Sequence, residues 1–190
     1  MSRFFWVRHG PTHAKSMVGW TDLPADLSDT AQIARLDAHL PQDALIVSSD
    51  LARARDTANA ITGRRTRLPD DPALREINFG AWEMAQFDTA PHPELLRAFW
   101  ETPGDLSAPE GESWNMIQTR VSTAAAALLA AHPGRDIIAV AHMGAILTQV
   151  QTALGIGAYE AFGHRIDNLS VTSLRHDGSR WHADAINHLP

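Results

Sequence analysis

The residues best suited to chemistry stand where a short apolar run ends. Phe4-Phe5-Trp6-Val7 leads directly into Arg8, His9 and Gly10. A neutral imidazole is a competent nucleophile, and an arginine guanidinium can pair bidentately with the oxygens of a phosphate. A charged pair directly after a buried segment costs desolvation free energy unless it has a partner or a ligand. Arg8 and His9 are therefore candidates for chemistry on an anion.

Three further groups with compatible chemistry follow along the chain. Arg53 lies in the first turns of a predicted helix after a second apolar run, His142 directly follows a third such run, and Glu76 lies in a loop rich in proline and glycine. Two arginines and two histidines would form a dense cationic pocket on a chain whose net charge is −6. A carboxylic acid beside them could protonate a leaving oxygen. This set suits a phosphate dianion.

The spacing of apolar residues predicts the elements that must bring these groups together. Short apolar runs at 4–7, 44–47 and 137–141 are typical of buried strands. Helical spacing predicts helices over about 28–40, 51–62, 93–100, 114–132 and 145–154. Alternation from 170 to 186 around a turn at Asp177-Gly178 predicts a closing hairpin. Strands that alternate with helices indicate an α/β fold with a mostly parallel sheet, and parallel strands end at one ligand-binding edge.

Composition limits the class of protein. The 190 residues, 44% of them hydrophobic and 20% charged, predict one globular domain over 1–190. The acidic balance argues against nucleic acid as a partner. The chain has no cysteine, which removes thiolate nucleophiles and cysteine-type zinc sites. No apolar run is long enough for a signal peptide core or a membrane span, so we expect a cytoplasmic protein with no membrane partner.

Several segments in chain order resemble the motifs of one family, the histidine phosphatase superfamily of phosphoglycerate-mutase-like proteins. Arg8-His9-Gly10-Pro11-Thr12 resembles its signature. The other matching segments are Gly19–Asp22 with Leu27-Ser28, Ser49–Thr57, Glu76–Glu83, Pro109–Ser113, Ala141–Gly144 and Asn168–Val171. One tripeptide would be weak evidence, but several motifs in the right order, each in its predicted structural context, make the resemblance specific.

The resemblance implies a three-layer α/β/α fold and a phosphohistidine mechanism that needs no metal and no cofactor. It implies that His9 is the nucleophile that becomes phosphorylated, and that Arg8, Arg53 and His142 hold the phosphoryl oxygens. It also implies that Glu76 is the general acid and then the base for the attacking water. His9, Glu76 and His142 are thus the expected catalytic residues.

Three more positions are expected to bind substrate: Thr12, Lys15 and Met143. Lys15 stands where the family usually has a phosphate-contacting asparagine, and Met143 stands where a glycine is usual after the second histidine. Neither departure removes a named catalytic group. A lysine at position 15 adds a point charge that would favour more anionic substrates.

Other polar and aromatic residues also have structural interpretations, which compete with a role in catalysis or binding. Glu83, seven residues after Glu76, is a rival for the acid, and the motif match favours Glu76. The arginine run 64–67 is interpreted as a solvated helix end. Trp82, Trp100 and Trp114 could line a substrate mouth, but core packing is the default interpretation for each.

The leading functional hypothesis is a phosphomonoesterase acting on a small phosphorylated metabolite. A phosphoglycerate mutase is the first alternative. The family's mutases are longer, whereas only about thirty residues separate Glu83 from Trp114 and the chain stops soon after its last predicted strand, which favours hydrolysis. A non-catalytic phosphate-binding protein of the same fold is the second alternative. Sugar phosphates, nucleotide-derived phosphates, a cobalamin-pathway phosphate and phosphohistidine proteins all remain open as substrates, as does the oligomeric state.

Overall fold

A six-stranded sheet forms the centre of the molecule, which a computed structural model describes from residue 2 to residue 190. The strands are β1 (Ser2–Arg8), β2 (Leu45–Ser48), β3 (Thr66–Arg67), β4 (Ile137–Ala141), β5 (Val171–His176) and β6 (Trp181–His188). Their order across the sheet is β3-β2-β4-β1-β5-β6. The first four in that order are parallel, and β5 and β6 add an antiparallel hairpin at one side. The expected α/β class with a mostly parallel sheet is confirmed.

Helices cover both faces of this sheet. They are α1 (Thr30–His39), α2 (Ala52–Ala60), α3 (Pro93–Glu101), α4 (Trp114–Ala131), α5 (Met143–Leu154) and α6 (Ala158–Ala161), with 3₁₀ turns at Pro72–Leu74 and Gly80–Trp82. Residues of α1 and α2 share one apolar core with the sheet, and residues of α3 to α6 share the other. Within residues 2–190, no helix is both long and apolar enough to cross a membrane.

The side-chain alternation of β1 explains why this strand is an unbroken apolar run. Phe5 and Val7 belong to the core beneath α1 and α2, while Phe4 and Trp6 belong to the core on the opposite face. Successive side chains of a strand point to opposite faces, so a strand with helices on both sides must be apolar at every position. Burying a side chain such as Phe4 or Val7 contributes about 1.5–3 kcal/mol. This burial fixes the strand that ends at the predicted site.

Element boundaries depart from expectation in a few places. The helix α1 begins at Thr30, two residues after the expected start at about residue 28, and its N-cap is Asp29, which accepts from the backbone N–H of Gln32. Helix α2 has no cap from its own flanking side chain. Instead Asp22, thirty positions upstream, accepts from the N–H of Ala52. The elements β3 and α6 were not expected, because two and four residues are too few to show a period.

The interpretation of residues 64–67 as a solvated helix end is wrong for Arg65, which is buried. Its guanidinium donates to the carbonyl oxygens of Ile61, Leu40 and Pro41 and pairs with the carboxylate of Asp37. The last carbonyls of a helix lack partners within the helix. Arg65 therefore closes the ends of α1 and α2 at once and joins these two helices at the end of the molecule away from the expected site.

Candidate active site

The carboxyl ends of β1 and β4 lie side by side, because the two strands are parallel neighbours with Arg8 opposite Ala141. His9 and His142 directly follow these strands, and their ring centroids are 5.0 Å apart. Both imidazoles are buried, His9 at 6% exposure and His142 at 0%. The two histidines lie close together at the sheet edge, as predicted from their positions directly after two apolar runs.

Arg53 reaches the same edge from the first turn of α2. Its Nε donates to Nε2 of His9 at 3.3 Å, and its two terminal nitrogens donate to the carbonyl oxygens of Thr21 at 2.9 Å and Gly19 at 2.6 Å. The side chain is almost fully buried. These bonds hold a guanidinium directly beside the ring of His9.

The hydrogen bonds of His9 define its tautomer. Nδ1 lies 2.7 Å from the carbonyl oxygen of Gly10. A carbonyl oxygen only accepts, so Nδ1 carries the proton and Nε2 holds the lone pair of the neutral ring. Burial, and then the positive charges of Arg53 and Arg8, lower the pKa of His9 to about 3, although the bond to Gly10 opposes them. At neutral pH Nε2 is therefore an unprotonated nitrogen beside a cation.

Three buried nitrogen atoms of the residues next to His9 lack hydrogen-bond partners within residues 2–190. They are both ring nitrogens of His142 and Nε of Arg8. A terminal nitrogen of Arg8 donates to the carbonyl oxygen of Ile166. Burial and the neighbouring charges hold the pKa of His142 well below its usual value. Buried donors are normally satisfied, and unsatisfied ones are often found at functional sites. Three of the seven such atoms within residues 2–190 belong to Arg8 and His142, which suits an anionic ligand beside His9.

A cavity of about 260 Å³ opens over His9. Its polar lining is Arg8, His9, Thr12, Ser16, Arg53 and Glu76, and its apolar lining is Ala14, Met17, Val18, Phe79, Trp100 and Met143. Most of the expected site residues thus share one cavity. His142 is fully buried and is absent from this lining, with its ring centroid 5.0 Å from that of His9.

Lys15 is the expected substrate-binding residue that the structure does not bring to the cavity. Its side chain is exposed, and its neighbours Ala14 and Ser16 line the wall instead.

The three tryptophans differ in where their side chains lie. Trp82 and Trp114 are core residues, as expected, but Trp100 is half-buried and lines the cavity. Core packing as the only role of Trp100 is therefore wrong.

Glu76 presents a buried carboxyl group on the cavity wall. Its Oε1 accepts from the N–H of Ile77 at 2.9 Å, and its Oε2 accepts from the N–H of Gly144 at 3.0 Å. Gly144 lies in the first turn of α5, where N–H groups are free and the helix dipole attracts negative charge. The two bonds fix the carboxyl group beside the place where a phosphate would lie.

The backbone of the Glu76 loop is held from behind by Arg120 of α4. Arg120 donates to the carbonyl oxygens of Ala73, Arg75 and Glu76 at 2.9–3.2 Å and forms a bidentate ion pair with Glu112. This group was not among the residues predicted from the sequence. The available signal was an arginine on the otherwise buried stripe of an amphipathic helix.

Glu83 holds a different segment. Its carboxylate accepts from the N–H groups of Gly19, Trp20 and Thr21 and from the hydroxyl of Thr21, at 2.7–3.2 Å. The carbonyl oxygens of this same turn receive Arg53. Glu83 is absent from the cavity lining. Of the two rival carboxylates, the geometry favours Glu76 as the acid and makes Glu83 the support of Arg53.

Comparison with known proteins places these features in a family. Residues 4–189 match the model of the histidine phosphatase superfamily (branch 1). The chain is 30% identical over 191 residues to a probable phosphoglycerate mutase of Escherichia fergusonii, across 95% of this chain and 88% of that protein.

Solved structures resemble the whole chain. The structure of YhfR from Bacillus stearothermophilus superposes with a TM-score of 0.91 at 25% identity, covering 100% of this chain and 98% of that one. A mycobacterial glucosyl-3-phosphoglycerate phosphatase superposes with a TM-score of 0.84 at 29% identity, covering 99% of each chain.

Proposed function

The chain belongs to the histidine phosphatase superfamily, and on this premise we propose that it is a phosphomonoesterase that hydrolyses a small phosphorylated metabolite through a phosphohistidine at His9. One observation carries the proposal. The unprotonated Nε2 of His9 stands beside the guanidinium of Arg53, in a cavity whose wall also holds Arg8 and Glu76. A nucleophile, two cations and a carboxyl group are the parts that phosphoryl transfer requires.

In the first step, the lone pair of His9 Nε2 forms a bond to phosphorus while the bond from phosphorus to the ester oxygen breaks. The protonated carboxyl group of Glu76 gives its proton to that departing oxygen, so the alcohol leaves neutral. Arg8 and Arg53 neutralise the charge on the remaining phosphoryl oxygens. Nδ1 of His9 keeps its proton and its bond to Gly10, which holds the ring in place.

In the second step, the carboxylate of Glu76 takes a proton from water as the water oxygen attacks phosphorus. The bond between phosphorus and Nε2 breaks, which releases inorganic phosphate and restores the neutral imidazole. The same carboxyl group thus serves first as acid and then as base. His142, whose ring centroid lies 5.0 Å from that of His9, is proposed to bind a phosphoryl oxygen with a ring N–H that has no partner within residues 2–190.

The charge of the cavity wall supports hydrolysis over mutase activity. A mutase acting on phosphoglycerate must hold a carboxylate in addition to the transferred phosphoryl group. Among the described residues that line the cavity, the permanent cations are Arg8 and Arg53, and both lie next to His9. Most of the remaining wall is apolar. A second anionic group would lose its hydration there without gaining a cationic partner.

The proposal also includes independence from metal ions, because the two guanidinium groups can supply the charge neutralisation that a metal provides in other phosphoryl-transfer sites. A non-catalytic phosphate-binding role would use the same arginines. It would give no reason for the unprotonated Nε2 of His9 or for the carboxyl group of Glu76 beside the anion site.

The test is turnover of p-nitrophenyl phosphate by the full chain in EDTA, with and without 2,3-bisphosphoglycerate, followed by a parallel assay on 3-phosphoglycerate. We expect phosphate release that needs no bisphosphoglycerate and is insensitive to EDTA. Conversion of 3-phosphoglycerate to its 2-isomer that depends on bisphosphoglycerate would identify a mutase. Phosphate binding without turnover would identify a binding protein, and activity restored by a divalent ion would refute metal independence.

A further inference from the structure

An apolar groove of about 480 Å³ lies beside the cavity over His9. Its lining residues are Trp100, Met143, Leu147, Tyr159, Phe162, Gly163 and His164. No lysine, arginine, aspartate or glutamate belongs to this lining. We refer to this set of residues as the apolar groove.

The apolar groove adjoins the cavity, because Trp100 and Met143 line both. A third, much smaller cavity is lined by Glu76 together with the groove residues Trp100, Met143, Leu147 and Phe162, and otherwise by apolar residues and Gly144. Glu76 therefore lies on the side of the phosphate pocket that faces the apolar groove.

The position of Glu76 relative to the phosphate determines where the leaving alcohol goes. The group that protonates the leaving oxygen must lie on the side of the phosphate from which the alcohol departs. Glu76 lies on the side of the cavity that faces the apolar groove, so an alcohol departing past Glu76 would move toward this groove. Aromatic rings form part of the groove wall: Trp100 and Phe162 pack against each other with ring centroids 5.3 Å apart, and Tyr159 is 68% exposed.

We propose that the apolar groove binds the leaving group, and that the substrates are phosphate monoesters of uncharged alcohols or phenols with a large apolar part. This inference rests on the phosphatase function proposed above. An aromatic or branched hydrocarbon would be desolvated favourably against Trp100 and Phe162. A carboxylate or a run of sugar hydroxyls would lose water against a wall with no charged partner.

The experiment compares kcat/KM for phenyl phosphate, 1-naphthyl phosphate and 3-phosphoglycerate. Phenol and 1-naphthol are leaving groups of similar basicity, so their ratio reports contact with the extra ring and not chemical reactivity. We expect 1-naphthyl phosphate to exceed phenyl phosphate by about tenfold or more, and 3-phosphoglycerate to be the poorest of the three. Equal values for the two aryl esters, or a preference for 3-phosphoglycerate, would overturn the inference.

The variant Tyr159→Ala locates the effect. The side chain of Tyr159 is exposed, so we expect the variant to fold. The ratio of kcat/KM for 1-naphthyl phosphate to that for phenyl phosphate should fall several-fold. The matched control is Phe87→Ala, an aromatic residue with 59% exposure that is absent from the groove lining, and it should keep the wild-type ratio. An unchanged ratio in Tyr159→Ala contradicts the groove assignment. Failure of the inference leaves phenyl phosphate turnover intact, whereas failure of the proposed function abolishes turnover of every ester.

Discussion

The backbone N–H of Gly144 donates to Oε2 of Glu76 at 3.0 Å, and a Cβ atom added to Gly144 would lie 2.3 Å from Oε1 of the same carboxyl group. The first turn of α5 therefore approaches the carboxyl group more closely than any side chain at position 144 allows. Glycine is needed here for this close approach, since its backbone conformation is an ordinary helical one. The position of the proposed acid thus depends on the absence of one methyl group from a neighbouring helix.

Gly144→Ala is expected to move the carboxyl group and lower activity with little effect on folding. Alanine favours helix over glycine by about 1 kcal/mol, which offsets part of the cost of the displaced contact. We expect kcat/KM for an alkyl phosphate to fall about tenfold or more, and the thermal midpoint to change little. Gly104→Ala is the matched control, because the nearest atom to its added Cβ is 4.0 Å away. Wild-type activity in Gly144→Ala would show that the contact with Glu76 is unimportant.

Glu76→Gln tests whether this carboxyl group is the acid. An alkoxide is a strong base and needs protonation as it leaves, whereas p-nitrophenolate hardly needs it. Single-turnover phosphorylation should slow by about 10²–10⁴ for an alkyl phosphate and much less for p-nitrophenyl phosphate. Single-turnover conditions separate this step from the attack of water. An equal loss for both leaving groups would mean that Glu76 only positions the phosphate.

Glu83→Gln should give a different pattern, because Glu83 acts through the turn that holds Arg53 and not through a proton. An amide has one acceptor oxygen where the carboxylate has two, so part of the bonding to residues 19–21 is lost. Hydrogen bonds to charged groups contribute about 1.5–3 kcal/mol. We expect kcat/KM to fall about tenfold for both leaving groups, with weaker inhibition by inorganic phosphate. Glu94→Gln, an exposed change on α3, is the control. A loss confined to alkyl phosphates would make Glu83 the acid.

The depressed pKa of His9 should make stability depend on pH. Between the folded value of about 3 and the unfolded value of about 6.5, the unfolded chain binds a proton at this residue that the folded chain does not. The free energy of unfolding should therefore fall as pH is lowered through this window, by up to about 1.4 kcal/mol per pH unit for one group. The shift at His142 acts in the same direction.

Urea unfolding at pH 7, 6 and 5 measures this dependence. His9→Gln removes one titrating group, so the decline toward pH 5 should be shallower than in the wild type. His92→Gln, which replaces an exposed histidine that forms no ion pair within residues 2–190, is the control. Identical slopes for His9→Gln and the wild type would contradict the low pKa of His9.

The convergence of the site residues at one edge of the sheet could be predicted, because it depends on local sequence patterns. Unbroken apolar runs fixed β1 and β4, and parallel neighbours bring the residues after them, His9 and His142, to one edge. Arg53 followed from the helix start after β2. These patterns are periodicities of a few residues, so the sequence displays them directly.

The supports of the site could not be predicted, because their partners are backbone atoms far along the chain. Glu83 binds the N–H groups of residues 19–21, and Arg120 binds carbonyl oxygens more than forty residues upstream, at positions 73–76. Backbone N–H and carbonyl groups occur at nearly every residue, so the sequence does not show which of them a distant side chain will bind. Lys15 lies outside the cavity lining for a related reason: proximity in sequence to His9 did not determine which side chains of the irregular segment line the cavity.

Trapping of the phosphoenzyme tests whether His9 carries the phosphoryl group. A turnover of labelled phosphate ester is quenched in base, and the modified residue is mapped in the wild type, in His9→Ala and in the exposed control His13→Ala. The expected result is an acid-labile label on His9 in the wild type and in His13→Ala, and neither label nor turnover in His9→Ala. Label on a serine, or undiminished activity in His9→Ala, would contradict the mechanism.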